Sequence, residues 1–597
     1  MLIPLKFLPG VNKSNTGYSQ PGRWTDSQWM MWKEGIPETI PGFERLVETA
    51  FLGIGRSEVA WRANTGDAYL GLGTNKRLYA FNNETFTNIT PWRSVGTLTN
   101  MFITTASSSI VTAIHTAHGV GESGEYVFIG TATTTDQAGV TGTFTYNGLT
   151  FGGEYAVTTV VDDNTFRFAA SGTATAAGTG GGTGRVLRYE LNPGQQDGVT
   201  AFGYGAGPYG EEAYGTPRST GLPLSPRIWQ LDVWGENLLA MYKNGSLYEW
   251  DVDGGKRAEV VTNAPTNNLG FFVTAERQVV VVGAGGNPRN VAFSDQEDNT
   301  DWTATATNQA GDFVLQAGNQ LITGRRMRGG VNLIFADTEA FTQRYTADRF
   351  VFSFERAGSG AGLIAPNAVV EFEGVMYWMG NRGFYAFNGF VQEMPAVGDI
   401  RDYVFGDINE SQKEKCWAGT DAQNRIIWFA YPSAASTEID RYVIFHVREG
   451  VWATGEWPAS RTAWADADVF SNPIAAGFDG YLYQHNVGDD ADGTAIEKSL
   501  EAAPIDMDKG NSRFDLSGII PDMKDQAGTV EMTLLCRDKP NSDVEEFGPY
   551  DLDPDTERVD TRADGRQAGM RLVSNTVGGR FRLGEIRIDV DPSGVRP

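Results

Sequence analysis

A short hairpin with an aromatic second strand returns along this chain at a spacing near 45 residues, and that rhythm constrains the fold more than any other feature. The clear copies are Lys76-Arg77-Leu78-Tyr79-Ala80-Phe81-Asn82, Gly245-Ser246-Leu247-Tyr248-Glu249-Trp250-Asp251, Arg382-Gly383-Phe384-Tyr385-Ala386-Phe387-Asn388 and Asp479-Gly480-Tyr481-Leu482-Tyr483-Gln484-His485-Asn486. Each follows an apolar strand: Ala68 to Leu72, Leu238 to Tyr242, Val375 to Met379, Ile474 to Phe478. Weaker copies fill the gaps. Phe293 falls 45 residues after Tyr248, Phe341 falls 48 beyond that, and Tyr385 is 44 further on. The strands Arg425 to Ala430 and Arg441 to Val447 precede the copy at Tyr483. About four strands per unit at this period predict an all-β fold, a β-propeller of six or seven blades. A blade exposes two apolar faces that only its neighbours can cover, and closing the row into a ring covers all of them. Two unrelated β-sandwiches are the alternative such strands leave open.

Tyr79 and Tyr248 lie 169 residues apart, far more than one period, so an insertion interrupts the early blades. From 103 to 184 the composition shifts to Thr, Ala, Gly and Val, which reads as a small β-sandwich-like domain looped out of the propeller. The propeller is then expected over 49–102 and 185–490. Residues 1–48 read as an irregular arm anchored by Trp24, Trp29 and Trp32, with one or two helical turns expected from Asp26 to Lys33, because Trp29, Trp32 and Lys33 share a helical face. Past Asn486 the rhythm stops, and 491–597 read as a C-terminal β domain in which Arg580 to Val590 alternates as one strand.

The net charge of −26, from 74 acidic against 48 basic residues, disfavours tight binding to nucleic acid through counterion release. It suits a soluble surface, or one that a polyanion must pass without sticking. Cys416 and Cys536 lie 120 residues apart and form neither a disulfide framework nor a zinc motif, which suits assembly in a reducing cytoplasm. Pro4 and Pro9 and the lack of a small-residue cleavage site argue against a signal peptide in Met1 to Gly10. No run of about 18 apolar residues predicts a membrane helix.

Candidate chemistry is sparse. His115 and His118 stand at i, i+3, on opposite faces if strand-borne, with no third ligand evident. No nucleophile elbow, phosphate loop or dinucleotide fingerprint occurs, so no catalytic residue, metal site or cofactor is assigned. The stretch Ser294 to Trp302 faintly resembles the Asp-box turn of sialidase propellers, a structural hairpin feature. The acidic groups Asp489-Asp490-Asp492 and Asp551-Asp553-Asp555 could offer oxygen ligands to calcium, but neither completes an EF-hand spacing and both read as solvated acidic loops. Against the acidic background, Arg325, Arg326 and Arg328 form a basic cluster that reads as a solvated strand end or, functionally, as the lining of a channel or a contact with a neighbouring acidic subunit.

The N-terminal block resembles the tail nozzle, or tail tubular B, proteins of short-tailed bacteriophages. The residues that carry the likeness are Trp24 and Gly35-Ile36-Pro37-Glu38-Thr39-Ile40-Pro41-Gly42-Phe43, then Tyr204-Gly205-Ala206-Gly207-Pro208-Tyr209-Gly210 leading into Pro226-Arg227-Ile228-Trp229, and Val291 to Trp302. Packaged-DNA stabilisation proteins of the same viruses are similar as well. The resemblance spans residues 20 to 490; the early insertion departs from the simplest family pattern. It implies a non-enzymatic virion protein, assembled in the host cytoplasm, that forms a homohexameric ring below the portal and adaptor, with residues 1–48 and 491–597 serving as a platform or docking region. Tail fibres and adaptor are the implied partners, and double-stranded DNA is expected to pass through the channel without sequence-specific binding. A carbohydrate-binding or carbohydrate-cleaving propeller of a receptor-binding tail component is the competing expectation.

Overall fold

A computed structural model of the chain describes residues 2–16, 19–133, 139–199, 224–316, 318–348, 350–506 and 512–595. Among the described residues, seven four-stranded sheets with their strands in chain order or nearly so place the protein in the β-propeller class. The chain divides into two units, one of residues 1–51, 197–225 and 314–597, the other of 52–196 and 226–313.

The second of these units carries three blades. They are Gly55–Arg62, Ala68–Thr74, Leu78–Asn82 and Thr85–Asn88; then Trp229–Trp234, Asn237–Tyr242, Tyr248–Trp250 and Glu259–Val260; then Gly270–Val273, Val279–Val282, Asn290–Phe293 and Gly311–Val314. The first strands of successive blades lie against one another, as radial packing requires. Side chains stitch them together. The Trp229 indole donates to the Thr74 carbonyl at 2.8 Å, Gln230 donates to the Leu269 carbonyl at 2.9 Å, and Asp232 accepts from the Val273 amide at 2.8 Å. Val279–Val282 is buried at every position because neighbouring sheets cover both of its faces.

The insertion grows from the first of these blades as an eight-stranded sheet that begins at Trp92–Leu98 and returns through Arg185–Glu190. Phe102, Phe151, Phe166 and Phe168 fill its core, with the rings of Phe102 and Phe151 stacked 4.9 Å apart. Glu190, at the root of the insertion, accepts from Arg77 Nε at 2.9 Å and Arg257 Nη1 at 2.8 Å, tying the insertion to the first two blades.

The other unit carries four blades. The fourth of the chain is Leu321–Arg326, Val331–Ala336, Glu339–Tyr345 and Phe352–Ser359, and the fifth is Val369–Phe372, Val375–Met379, Phe384–Phe387 and Val391–Glu393. After the helix Arg401–Asp407 comes the sixth: Trp417–Asp421, Ile426–Tyr431, Arg441–His446 and Val451–Glu456. Six consecutive residues of Ile426–Tyr431 are buried, each contributing roughly 1.5–3 kcal/mol where the side chain is large and apolar. The seventh blade takes Arg461–Ala465, Ile474–Gly477 and Leu482–His485 from one end of the chain and its outer strand, Phe43–Arg45, from the other. Trp417 and Trp464 knit the sixth and seventh blades reciprocally, donating to the carbonyls of Arg461 at 2.9 Å and Thr420 at 2.7 Å.

The two terminal regions interleave in three sheets. One is ordered Leu2–Pro4, Arg587–Val595, Ser512–Ile520, Val559–Gly565. The second runs Leu8–Val11, Arg23–Gln28, Lys498–Ala502, Gln567–Ser574, Val530–Arg537, Glu545–Leu552, with Ile505–Asp506 paired to the side. The third is Met30–Lys33, Ile36–Thr39, Arg580–Leu583, Met523–Ala527.

Two local expectations are corrected here. Asp26 to Lys33 is not helical: Arg23–Gln28 and Met30–Lys33 are strands of different sheets, and Trp29 between them has φ 54°. That left-handed break puts the fully buried Trp29 ring against Trp428, Tyr442 and Trp457, and burial outweighs the helical pattern. Glu34 and Gly35, with φ of 55° and 75°, then form the two-residue turn that a tight hairpin requires. Arg580 to Val590 likewise divides into Arg580–Leu583 and Arg587–Val595. Asp522 ends the first segment by accepting from the Glu585 amide at 2.9 Å, while its own carbonyl accepts from Gly584 at 2.8 Å. A side chain at Gly584 would collide with the Asp522 carboxylate.

Candidate functional site

The arginine cluster sits at one end of the fourth blade. Leu321–Arg326 turns into Val331–Ala336 across Met327 to Gly330, where Gly329 and Gly330 take φ of 93° and 76°. Strand alternation divides the three arginines. Arg325 lies inward, with Nη2 donating at 3.2 Å to the Pro366 carbonyl and Nη1 at 3.2 Å to the Gly324 carbonyl. Met327 is buried, whereas Arg326 and Arg328 face solvent. Val331 pairs in register with Arg344, which brings a further exposed arginine to the same end of the sheet. The loop between the third and fourth strands adds Phe350, 66% exposed. The result is a basic corner with an aromatic projection, suited to carboxylates that match the guanidinium fork. The sequence cluster did not include Arg344, because only the strand register brings it there.

His115, His118 and the carboxylates of Asp489, Asp492 and Asp553 are engaged in internal bonds, whereas Asp551 and Asp555 are exposed. His115 and His118 lie just past the strand Ile110–Ile114 rather than on it. His115 Nδ1 is 2.8 Å from the Tyr189 hydroxyl, and burial holds its ring below the usual histidine range. His118 accepts at Nδ1 from the Val120 amide at 3.0 Å, and its Nε2 lies 2.9 Å from the Asp162 carbonyl. Among the described residues no three His, Cys, Asp or Glu side chains are placed together to hold a metal ion.

At Asp489 to Asp492 the positions near the carboxylates are filled by cations of the chain itself. Arg580 pairs with Asp489 at 2.8 Å, Arg45 with Asp492 at 3.5 Å, and buried Lys498 donates to the Asp489 carbonyl at 2.6 Å. Asp553, in the second acidic group, accepts from the Thr529 hydroxyl at 2.7 Å. Ser294 to Trp302 forms the connection between the third and fourth strands of its blade. Within it Asp295 accepts from the Gln309 amide at 2.7 Å, and Trp302 donates to the Asn299 carbonyl at 2.7 Å.

A cleft of about 490 Å³ beside the second blade is lined by Asn237, Glu249, Asp251, Lys256, Arg257 and Glu259. Glu249 and Glu259 stand directly opposite in register, a like-charged pairing. Glu249 is compensated by amide donation from Asn237 at 2.7 Å and Asn299 at 2.8 Å, and Lys256 pairs with Asp251 at 2.7 Å. The tract Tyr204 to Gly210, which contributed to the family likeness, lies outside the described residues.

No protein-family model matches the sequence, and no curated protein does. Among solved structures, a gluconolactonase from Xanthomonas campestris aligns with 44% of this chain and 89% of its own, at 14% identity and a TM-score of 0.27. Neither the identity nor the superposition carries that protein's activity across.

Proposed function

We propose that this chain is a structural subunit of a short-tailed bacteriophage virion, the repeating unit of a tail nozzle. Six copies form a ring below the portal and adaptor and enclose the channel through which DNA leaves. The observation that carries this reading is the union of the two terminal regions. Residues 2–39 and 498–595 share three sheets, and the strand Phe43–Arg45 passes directly from them into the last blade. A propeller fastened in this way to a terminal β platform is the organisation that the family likeness implies. The net charge of −26 supports it, because a ring of such chains repels phosphate and lets duplex DNA slide rather than bind. Adaptor and portal-proximal proteins, and tail fibres, are the partners on this reading.

Electron microscopy and native mass measurement of the purified chain, alone and with an adaptor ring, test the proposal. A sixfold ring with an axial opening wide enough for a duplex is expected. A chain that stays monomeric in both settings, or that turns over host polysaccharide, overturns it.

A further inference from the structure

Two surfaces of the same unit carry opposite charge that is largely without ion-pair partners among the described residues. The first is the fourth-blade corner, where Arg326, Arg328 and Arg344 are exposed and make no ion pair among the described residues. The second is the outermost strand of the longest terminal sheet, Glu545–Leu552, which among the described residues pairs on one side only, with Val530–Arg537. Residues 541–560 hold eight carboxylates and a single base, Arg558. Glu546 is paired with Arg571 at 2.9 Å and Asp560 with Arg558 at 3.0 Å. Asp543, Glu545, Asp551, Asp553, Asp555 and Glu557 are exposed and have no ion pair among the described residues.

Repulsion among these carboxylates guards the strand against indiscriminate edge pairing. It also selects a partner, since a guanidinium fork satisfies both carboxylate oxygens at once. Each surface has an exposed apolar side chain beside its charges, Phe350 at 66% on the basic side and Val544 at 47% on the acidic side. An apolar anchor beside charges is what a specific contact uses. Every copy carries one surface of each sign, so a contact between copies is head to tail, the kind that generates a ring when its rotation closes.

We propose that the acidic outer strand Glu545–Leu552 and its flanks on one subunit dock against the arginine corner of the fourth blade on the next. This rests on the nozzle reading, because it supplies the contact that builds the ring. Arg325, held inside its own subunit, takes no part.

The test is a charge exchange followed by sedimentation velocity and native mass measurement. One variant carries Arg326→Glu, Arg328→Glu and Arg344→Glu; a second carries Glu545→Arg, Asp551→Arg and Asp553→Arg; a third carries all six. Either triple reversal is expected to raise the half-assembly concentration at least about tenfold, and the combination to restore it to within about threefold. A milder set, Arg326→Ser, Arg328→Ser and Arg344→Ser, keeps the test open should a reversal fail to fold, and is expected to weaken assembly about fivefold or more. Wild-type assembly should also weaken between about 50 and 500 mM salt as screening tightens. Wild-type rings indifferent to the folded reversals, or six substitutions that fail to restore assembly in a folded chain, overturn this contact and leave the nozzle reading standing. A wild-type chain monomeric at every concentration and with the adaptor overturns both.

Discussion

Arg461 directs its Nε hydrogen at Nε2 of His485, 3.0 Å away, with both side chains buried in the seventh blade. The imidazole must therefore be neutral with its proton on Nδ1, because Nε2 serves as acceptor. The same guanidinium lies 4.2 Å from the centre of the Phe43 ring and 3.9 Å from that of Tyr483. Since Phe43 pairs in register with His485, this stack fastens the N-terminal strand that completes the blade.

Burial, and then the charge of Arg461, holds His485 well below the ordinary value of 6.5. The unfolded chain takes up a proton near pH 6.5 that the folded chain refuses, so the stability this histidine confers is present above that pH and is lost as pH falls. The loss approaches about 1.4 kcal/mol per pH unit on the acid side. His446, also lowered chiefly by burial, adds to the same limb. Urea melts of His485→Gln, which keeps an acceptor without titrating, should show a shallower decline from about pH 6.5 to 4.5 than wild type. An acid limb of unchanged slope would count against this assignment.

Glu190 is the hinge pin of the insertion. Its carboxylate is buried between Arg77 and Arg257, and Asn88 donates to it at 2.7 Å. Neutralising it leaves the buried Arg257 guanidinium without its paired carboxylate, while Arg77 keeps its contact with Glu154. Glu190→Gln should destabilise the unit of residues 52–196 and 226–313 by about 3–5 kcal/mol. Hydrogen exchange should report faster opening at the strands Arg185–Glu190 and Leu78–Asn82. Full protection there would show that the amide replaces the carboxylate without loss.

The blades were legible in the sequence where their chemistry is local. The aromatic hairpins at Tyr79, Tyr248, Tyr385 and Tyr483 each fall on the third strand of a sheet, because alternation and a preceding turn are written in adjacent residues. Features that depend on distant partners were not legible. Phe43–Arg45 joins a blade whose other strands lie more than 400 residues away, and no local signal in Phe43 announces that pairing. Trp29 satisfies a helical pattern but is recruited by an aromatic cluster that forms only once the sixth blade exists. The arginine cluster was visible as a cluster, but strand alternation turns Arg325 away from Arg326 and Arg328, and its inward partner, the Pro366 carbonyl, lies 41 positions on.

The two cysteines should be silent in the native protein. Both are buried; burial pushes the Cys536 thiol up to about 12 and the Cys416 thiol higher still. The thiolate is the reactive form, so a thiol-specific disulfide reagent at about pH 8 should label neither residue until denaturant is added, and then both. Rapid labelling of the folded chain would mean that one of these sites opens readily to solvent.

Lys498 lies where the last blade passes into the terminal sheets, and its ammonium is buried against the carbonyls of Asp489 and Gly579. Burial lowers its pKa from 10.5 to about 8, with Asp489 and Asp490 opposing the fall and Arg580 reinforcing it. Between those two values the unfolded chain holds a proton that the folded chain has released. The contribution of this lysine to stability therefore rises with pH across that window, by about 3–3.5 kcal/mol at most. Replacement by Met removes the titration together with two donated hydrogen bonds. In Lys498→Met the difference in unfolding free energy from wild type should grow as pH is raised from about 8 to 10, because only the wild type gains from releasing the proton. A difference that stays constant over that range would show that Lys498 keeps its charge in the folded protein.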